Sequence, residues 1–418
     1  MSILIKNAIV FGKVMDILIE DNLISRIAPK LSDNAEYTID ASHKAVIPGL
    51  FNSHTHAAMT LLRGYADDMQ LQSWLQTKIW PLEAKLTDKD VYLGARLACL
   101  EMIKTGTTFF NDMYWHLEGT VRAVEEMGIR AALSYVFIDL FDEKKAVEQI
   151  RVVKRQFEPT KQQDSRVTFA LGPHAIYTVS KDSLQWVADF AKQHDVLIHI
   201  HLAETKKEVD DCLKSNGKRP VQFLEDIGFL GPNVIACHSV WLTDEEIRIM
   251  ARHQVKVVHN PVSNMKLAVG EVFPYSRFKA AGVLPCLGTD GCASNNSLDM
   301  FQAMKFAALL QKFCYKDPTV LPAHEAFEMA TSNPALAFRI NSGKIEEGKL
   351  ADLLLIDLKN VKLTPNHNMV SNLVYSADGS CVDTVICDGK ILMEHRVVEN
   401  EEKIVDDAAR AALDLVAG

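Results

Sequence analysis

Residues 47–56 read IPGLFNSHTH, and this stretch decides the fold. The Pro48-Gly49 turn releases a short apolar strand, Leu50–His54, that stops abruptly in polar residues. His54 and His56 stand two apart, so on an extended chain their side chains leave the same face. Both imidazoles can then reach one cation at about 2.0–2.1 Å. An H-x-H pair is common in sequences. A pair at the end of a buried strand is much less so.

Working outward, the same pattern recurs. Apolar strands are predicted at Thr107–Met113, Ala131–Phe137, Val167–Leu171, Leu197–His201, Val234–His238, Val255–His259 and Leu284–Thr289. Helix-length segments such as Asp90–Lys104, Lys181–His194 and Asp244–His253 separate them. Eight short apolar strands alternating with helices predict an α/β fold, a closed TIM-like (β/α)8 barrel. The flanks have another texture. Ile3–Phe11 and Met15–Glu20 read as a hairpin, followed by Ile24–Ile27 and Ala45–Ile47, and strand character returns at Ala351–Asp357 and Cys381–Cys387. Residues 1–48 and 345–418 are therefore expected to form a small composite β-sandwich around a 49–344 barrel. The amphipathic stretch Asp406–Val416 is expected to pack on that small domain.

Composition bounds the function. A chain of 418 residues, 48% hydrophobic with formal net charge −9, can bury a large core and carries no basic footprint for nucleic acid. Neither G-x-G-x-x-G nor G-x-x-x-x-G-K-[ST] occurs. The eight cysteines are scattered without a C-x-x-C pair, which reads as reduced core residues. The N-terminus alternates apolar and polar residues instead of showing the layout of a signal peptide, and no apolar run is long enough to span a bilayer. A cytoplasmic, membrane-free enzyme is expected.

Chemistry-bearing residues gather at the predicted strand ends. His199-Ile200-His201 closes the fifth strand, with Glu204 three residues on; His201 is a third ligand candidate, while His199 reads as a hydrogen-bonded core histidine. Glu204 is placed to shuttle protons beside a metal. His238 ends the sixth strand, His259-Asn260 the seventh and Asp290 the eighth. A charged Asp at the end of a buried strand needs a partner or a metal. His259 reads as supporting the ligands or facing substrate, or else as structural.

PGLFNSHTHAAMTLLRGYADDMQLQSWL, GPHAIYT, HLAET, CHSVWL, HNPVSNMKL, GTDGCASNNSLDM and the closing GKIEEGKLADLLLID span nearly the whole chain. Together they resemble the amidohydrolase superfamily, and within it the S-adenosylhomocysteine/5′-methylthioadenosine deaminases. The resemblance implies hydrolytic deamination of an adenosine-type nucleoside (5′-methylthioadenosine, S-adenosylhomocysteine, 5′-deoxyadenosine or adenosine). It implies one divalent metal, zinc first and iron or manganese as alternatives, held by His54, His56, His201 and Asp290. Glu204, His238 and Asp290 are implied as catalytic. Trp74, Glu83 and His174, with Glu204 and Asp290, are implied as substrate contacts, and a homo-oligomer is expected. The fourth strand ends Leu171-Gly172-Pro173-His174, without the Lys that carries the bridging carbamate of two-metal relatives. One feature departs: the segment expected to supply an Arg for the homocysteine carboxylate, FIDLFDEKKAVEQIRVVKRQFEPTK, aligns poorly and offers only Arg151. Rival readings are another reaction of the superfamily (a guanine, cytosine or pterin deaminase, or a triazine chlorohydrolase) and a metal-free structural homologue.

Overall fold

The computed structural model describes residues 2–160 and 165–417; Lys161, the last residue of the poorly aligning segment, lies outside them. Two sheets organise the chain. The terminal strands are β1 (Ser2–Val10), β2 (Lys13–Glu20), β3 (Leu23–Ala28), β4 (Tyr37–Asp40) and β5 (Lys44–Pro48). The barrel strands are β6 (Leu50–Thr55), β7 (Thr107–Tyr114), β8 (Arg130–Phe137), β9 (Val167–Pro173), β10 (Leu197–Leu202), β11 (Val234–His238), β12 (Lys256–His259) and β13 (Cys286–Leu287). The chain then returns to the first sheet through β14 (Leu353–Asp357), β15 (Val382–Cys387) and β16 (Lys390–Met393).

β6 to β13 pair in chain order, all parallel, as strand–helix–strand repeats require. No ladder joins β13 to β6 among the described residues. The seam is closed instead by Asp290 N–H donating to His54 O at 2.9 Å and by Asn52, which exchanges hydrogen bonds with Thr289 at 2.6 and 3.0 Å. The approach is close: a Cβ on Gly288 would stand 2.6 Å from Asn260 Oδ1 and 2.8 Å from His54 N. Gly at this position is what lets the last strand reach the first. The eighth strand, Cys286–Leu287, is shorter than its apolar run predicts, and the chain turns left-handed at Asp290, where φ is 67°. Below the seam the barrel is filled, each strand sending in at least one side chain: Phe51, Phe109, Ala132, Ala170, Leu197, Ile235, Val258 and Cys286.

The terminal strands form one continuous mixed sheet in the order β16-β15-β14-β5-β1-β2-β3, with β4 beside β1. It curls until β3 meets the segment leading into β14. Ile24 N–H donates to Lys349 O, and Ala351 N–H to Asn22 O, both at 2.8 Å. The two layers of the expected sandwich thus belong to one sheet drawn from both chain ends. β5 runs through Gly49 straight into β6, which fixes this sheet against the start of the barrel.

The last helix, Glu401–Ala417, departs from expectation. It packs on the barrel: Ala408 and Ala411 meet Leu61 together with Leu93 and Leu97 of the helix Asp88–Lys104, and Lys104 Nζ pairs with Glu401 at 2.7 Å. All eight cysteines are free, and seven are buried. No helix among the described residues is long and apolar enough to cross a membrane.

Candidate active site and metal centre

The strand-end residues converge at the C-terminal mouth of the barrel. His54 and His56 Nε2 each stand 3.3 Å from Asp290 Oδ1, and His201 Nε2 stands 3.3 Å from His56 Nε2. His238 Nε2 is 4.0 Å from Asp290 Oδ2, and its Nδ1 is 3.7 Å from Glu204 Oε1.

Each imidazole is aimed by what holds its other nitrogen. His56 Nδ1 lies 2.8 Å from Met113 O, and His201 Nδ1 lies 2.8 Å from His174 O. A carbonyl only accepts, so both Nδ1 atoms carry a proton and both Nε2 atoms are turned to the cluster. His54 Nδ1 lies 2.7 Å from His199 Nε2. His238 Nδ1 lies 2.8 Å from Asn264 Oδ1, which turns its Nε2 toward Asp290. Asp290 Oδ2 accepts from Ser263 Oγ at 2.6 Å, and Oδ1 accepts from Gly291 N–H at 2.8 Å. One layer back, buried Asp112 accepts from Thr55 Oγ1 at 2.8 Å and Ala57 N–H at 2.6 Å, so β7 grips the H-T-H end of β6 from both sides.

The backbone is bent for the purpose. Ala203, His238 and Asp290, at the ends of three strands, have φ of 51°, 66° and 67°. Such left-handed non-Gly residues are strained, and strain of this kind gathers at functional sites. At the first of them the Glu208 carboxylate accepts from Ala203 N–H at 2.8 Å and Glu204 N–H at 2.9 Å, fixing the turn that presents Glu204.

Burial dominates the electrostatics. It lowers His54 to about 4 and His174 to about 3, and holds His199 and His201 well below the usual histidine range. Burial also works against charge on His56 and Asp290. Contact with Asp290 nevertheless raises His56 to about 9, and contact with His54 and then His56 holds the Asp290 carboxyl well below its ordinary range. Burial raises Glu204, and also Glu83, where the Tyr114 hydroxyl pulls the other way. His54 Nε2 is buried without a hydrogen-bond partner. Three imidazoles whose Nε2 atoms converge, with one carboxylate beside them, are a donor set for a divalent cation of borderline softness.

Above this cluster opens a cavity of about 690 Å³, its open mouth included. His56, His201, Glu204, His238 and Asp290 form part of its lining, as do Trp74, Glu83 and His174, the three predicted substrate contacts. Trp74 is a core aromatic too: buried, its Nε1–H donates to Ala66 O at 2.8 Å while the indole faces the cavity. Two sequence readings are not brought here. Arg151 is exposed on the helix Glu143–Thr160, whose inward face belongs to Val153, Gln156 and Phe157, and it does not line the cavity. His259 is turned away, its ring stacked on Phe273 at 4.5 Å, and its neighbour Asn260 approaches His238 instead, with Nδ2 3.4 Å from Nδ1. Tyr114, Tyr177, Trp80 and Trp115 line the cavity unforeseen. Of the missed residues, Asn264 had a usable signal: it stands four residues after Asn260 in HNPVSN, one turn along the helix Pro261–Lys266.

The amidohydrolase family model matches residues 45–392. The chain belongs to the amidohydrolase family. This amidohydrolase is 52% identical to a 5′-deoxyadenosine deaminase of Methanoregula boonei over 91% of its own length and 87% of the relative's. It is 51% identical to a 5-methylthioadenosine/S-adenosylhomocysteine deaminase of Archaeoglobus fulgidus, over 98% of each chain. Among solved structures it superposes on a zinc-bound adenosine deaminase from Xanthomonas campestris with a TM-score of 0.93 at 33% identity, covering 100% of this chain and 99% of the other.

Proposed function

We propose that this amidohydrolase deaminates an adenosine-type nucleoside by hydrolysis, releasing ammonia and the inosine analogue. The observation that carries the reading is the meeting of His54, His56, His201 and Asp290 at the floor of a cavity whose walls hold Trp74, Glu83 and Glu204. His54, His56, His201 and Asp290 would hold one divalent cation, zinc in our reading, and the relatives' names and the zinc-bound structural neighbour support both substrate class and metal. Bound there, the cation would supply the acidity that makes water a nucleophile near neutral pH.

The protein's own groups handle the protons. His238 Nε2 and Asp290 Oδ2, 4.0 Å apart, flank the position from which water attacks the amine-bearing ring carbon, and Asp290 takes the proton released. Glu204, whose carboxyl burial raises, passes a proton to a ring nitrogen in this reading, so negative charge does not accumulate in the purine as the tetrahedral centre forms. Trp74 packs on the nucleoside and Glu83 accepts from the ribose hydroxyls.

The 5′ substituent points, in this reading, into a groove that shares Trp80, Glu83, Trp115 and Ile138 with the cavity and continues past Leu86 and Leu140. None of the described residues lining the cavity is Lys or Arg, but Lys145 lines the groove, together with His116 and Thr178. Small apolar substituents suit the stretch at Trp80, Trp115 and Leu86, and Lys145 offers a cation farther along the groove. 5′-Deoxyadenosine and 5′-methylthioadenosine are proposed as substrates, with S-adenosylhomocysteine tested beside them. Ammonia release across these nucleosides and adenosine, with guanine, cytosine, a pterin and a chlorotriazine as controls, tests the reading. Turnover of a control above all the nucleosides would overturn it. Glu204→Gln should keep its metal by elemental analysis and lose about 10²–10⁴-fold in kcat; near-normal kcat would remove Glu204 from its role.

A further inference from the structure

The three metal-facing histidines are not held alike. His56 and His201 lean on backbone carbonyls through Nδ1, whereas His54 leans on another side chain, His199. The two rings meet edge to face at 88°, with centroids 4.9 Å apart, and neither is exposed at all. His199 sits two residues before His201 on β10, so the period of the strand sends both imidazoles into the barrel, one layer apart. It lies beneath the cavity and does not line it.

A second cation at this place is a competing idea. His54, His199 and Cys237 offer three donor atoms within 4.8 Å of one another. The spacing argues against it. A cation holding two nitrogens at about 2.0–2.1 Å spreads them by roughly 3 Å or more, and His54 Nδ1 and His199 Nε2 are 2.7 Å apart. That is the length of a hydrogen bond with one proton between two nitrogens.

The proton must then have a side. If it sits on His54 Nδ1, His54 Nε2 has a lone pair and faces the cluster as a ligand. If it sits on His199 Nε2, His54 carries its proton on Nε2, pointed at the place a cation would occupy. We infer that His199 is the positioning residue for His54: it accepts the Nδ1–H of His54 and thereby reserves Nε2 for the metal. Removing the acceptor leaves a buried N–H without a partner and frees His54 to adopt the wrong tautomer. His199 touches neither substrate nor cation and acts only through His54.

The inference rests on the metal-site reading above, and the test separates the two. Zinc affinity of the full chain is measured by competition with a chromophoric chelator for the wild type, His199→Gln and His199→Leu, each checked for folding by the thermal midpoint of its metal-free form. The Gln side chain can accept from Nδ1 and Leu cannot. We expect zinc to bind about 10–100-fold more weakly to the Leu variant, with Gln recovering most of the loss. A purely structural role would lower the metal-free midpoint and leave zinc affinity unchanged. Equal affinity in wild type and Leu, or no recovery by Gln, overturns the inference while sparing the metal site. Failure of the wild type to bind zinc overturns both. Should the Leu variant not fold, His199→Asn, too short to reach Nδ1, takes its place with the same expected weakening.

Discussion

Two clusters of buried polar side chains sit at opposite ends of the barrel. At the start of β8, Arg130 Nη2 reaches Asp388 Oδ1 at 2.9 Å and its Nε reaches Asp352 Oδ2 at 3.3 Å. Asp352 also accepts from Asp388 N–H at 2.7 Å, and Asn22 donates to Asp388 at 3.0 Å. Here acid meets base, and each donor finds an acceptor. At the other end the outer ring nitrogens are anchored and the inner ones converge, so that His54, His56, His201 and Asp290 turn their ligand atoms toward one another. The first cluster is complete as it stands and ties the terminal sheet to the barrel. The second, in the function proposed above, is completed by a cation. Equal burial therefore serves opposite ends, attachment in one place and chemistry in the other.

The largest expected effects break this contrast from each side. His54→Ala should abolish both metal and turnover, read by elemental analysis and ammonia release, while the fold survives because one converging lone pair is removed. Full metal occupancy in that variant would count against the site. Arg130→Met works on the other cluster. It leaves buried Asp352 and partly buried Asp388 without this counter-charge, for a loss on the order of 3 kcal/mol in chemical denaturation. The variant that remains folded should keep its metal content and its kcat. A parallel fall in metal content would mean that the two ends are not separable.

The contrast also explains what could be read from the chain. His54, His56, His201, His238 and Asp290 were legible because their residue types are rare at the ends of apolar strands, and a barrel brings all such ends to one rim. Asn264, Ser263, Asp112 and His199 act by orienting those residues. Their polar side chains resemble any other loop or core hydrogen-bonder until their partners are seen. His259 misled for a local reason: it ends β12, yet its ring stacks on Phe273, and the work at His238 falls to Asn260 and Asn264. The final helix shows the same limit at the level of packing. An apolar stripe announces that a helix is covered on one side without saying by what, and Leu93 and Leu97 were as good a partner as the terminal sheet.

A smaller effect tests whether burial without a counter-charge is costly outside the active site. Asp299 caps the helix Met300–Tyr315, accepting from Phe301 N–H at 2.8 Å and Gly379 N–H at 3.0 Å, and burial raises its carboxyl to about 6. The folded state therefore holds this proton more tightly than the unfolded chain does. The stabilisation is full below pH 3.8 and is lost as pH rises to about 6. Relative to Asp299→Asn, the wild type should lose thermal stability across that window and then level off. A constant difference in midpoint between the two proteins would show that the carboxyl titrates alike in both states.

The smallest effect expected is that of Arg151→Ala. The residue entered as a carboxylate-binding candidate and stands exposed, off the cavity lining. Removing it should change kcat/KM by less than about twofold for 5′-methylthioadenosine and for S-adenosylhomocysteine alike, since an exposed helix charge is worth only a few tenths of a kcal/mol. The comparison between the two substrates carries the information. A selective loss with S-adenosylhomocysteine would place the far end of that substrate farther along the helix Glu143–Thr160 than Lys145, where the groove past Trp80 and Leu140 meets it.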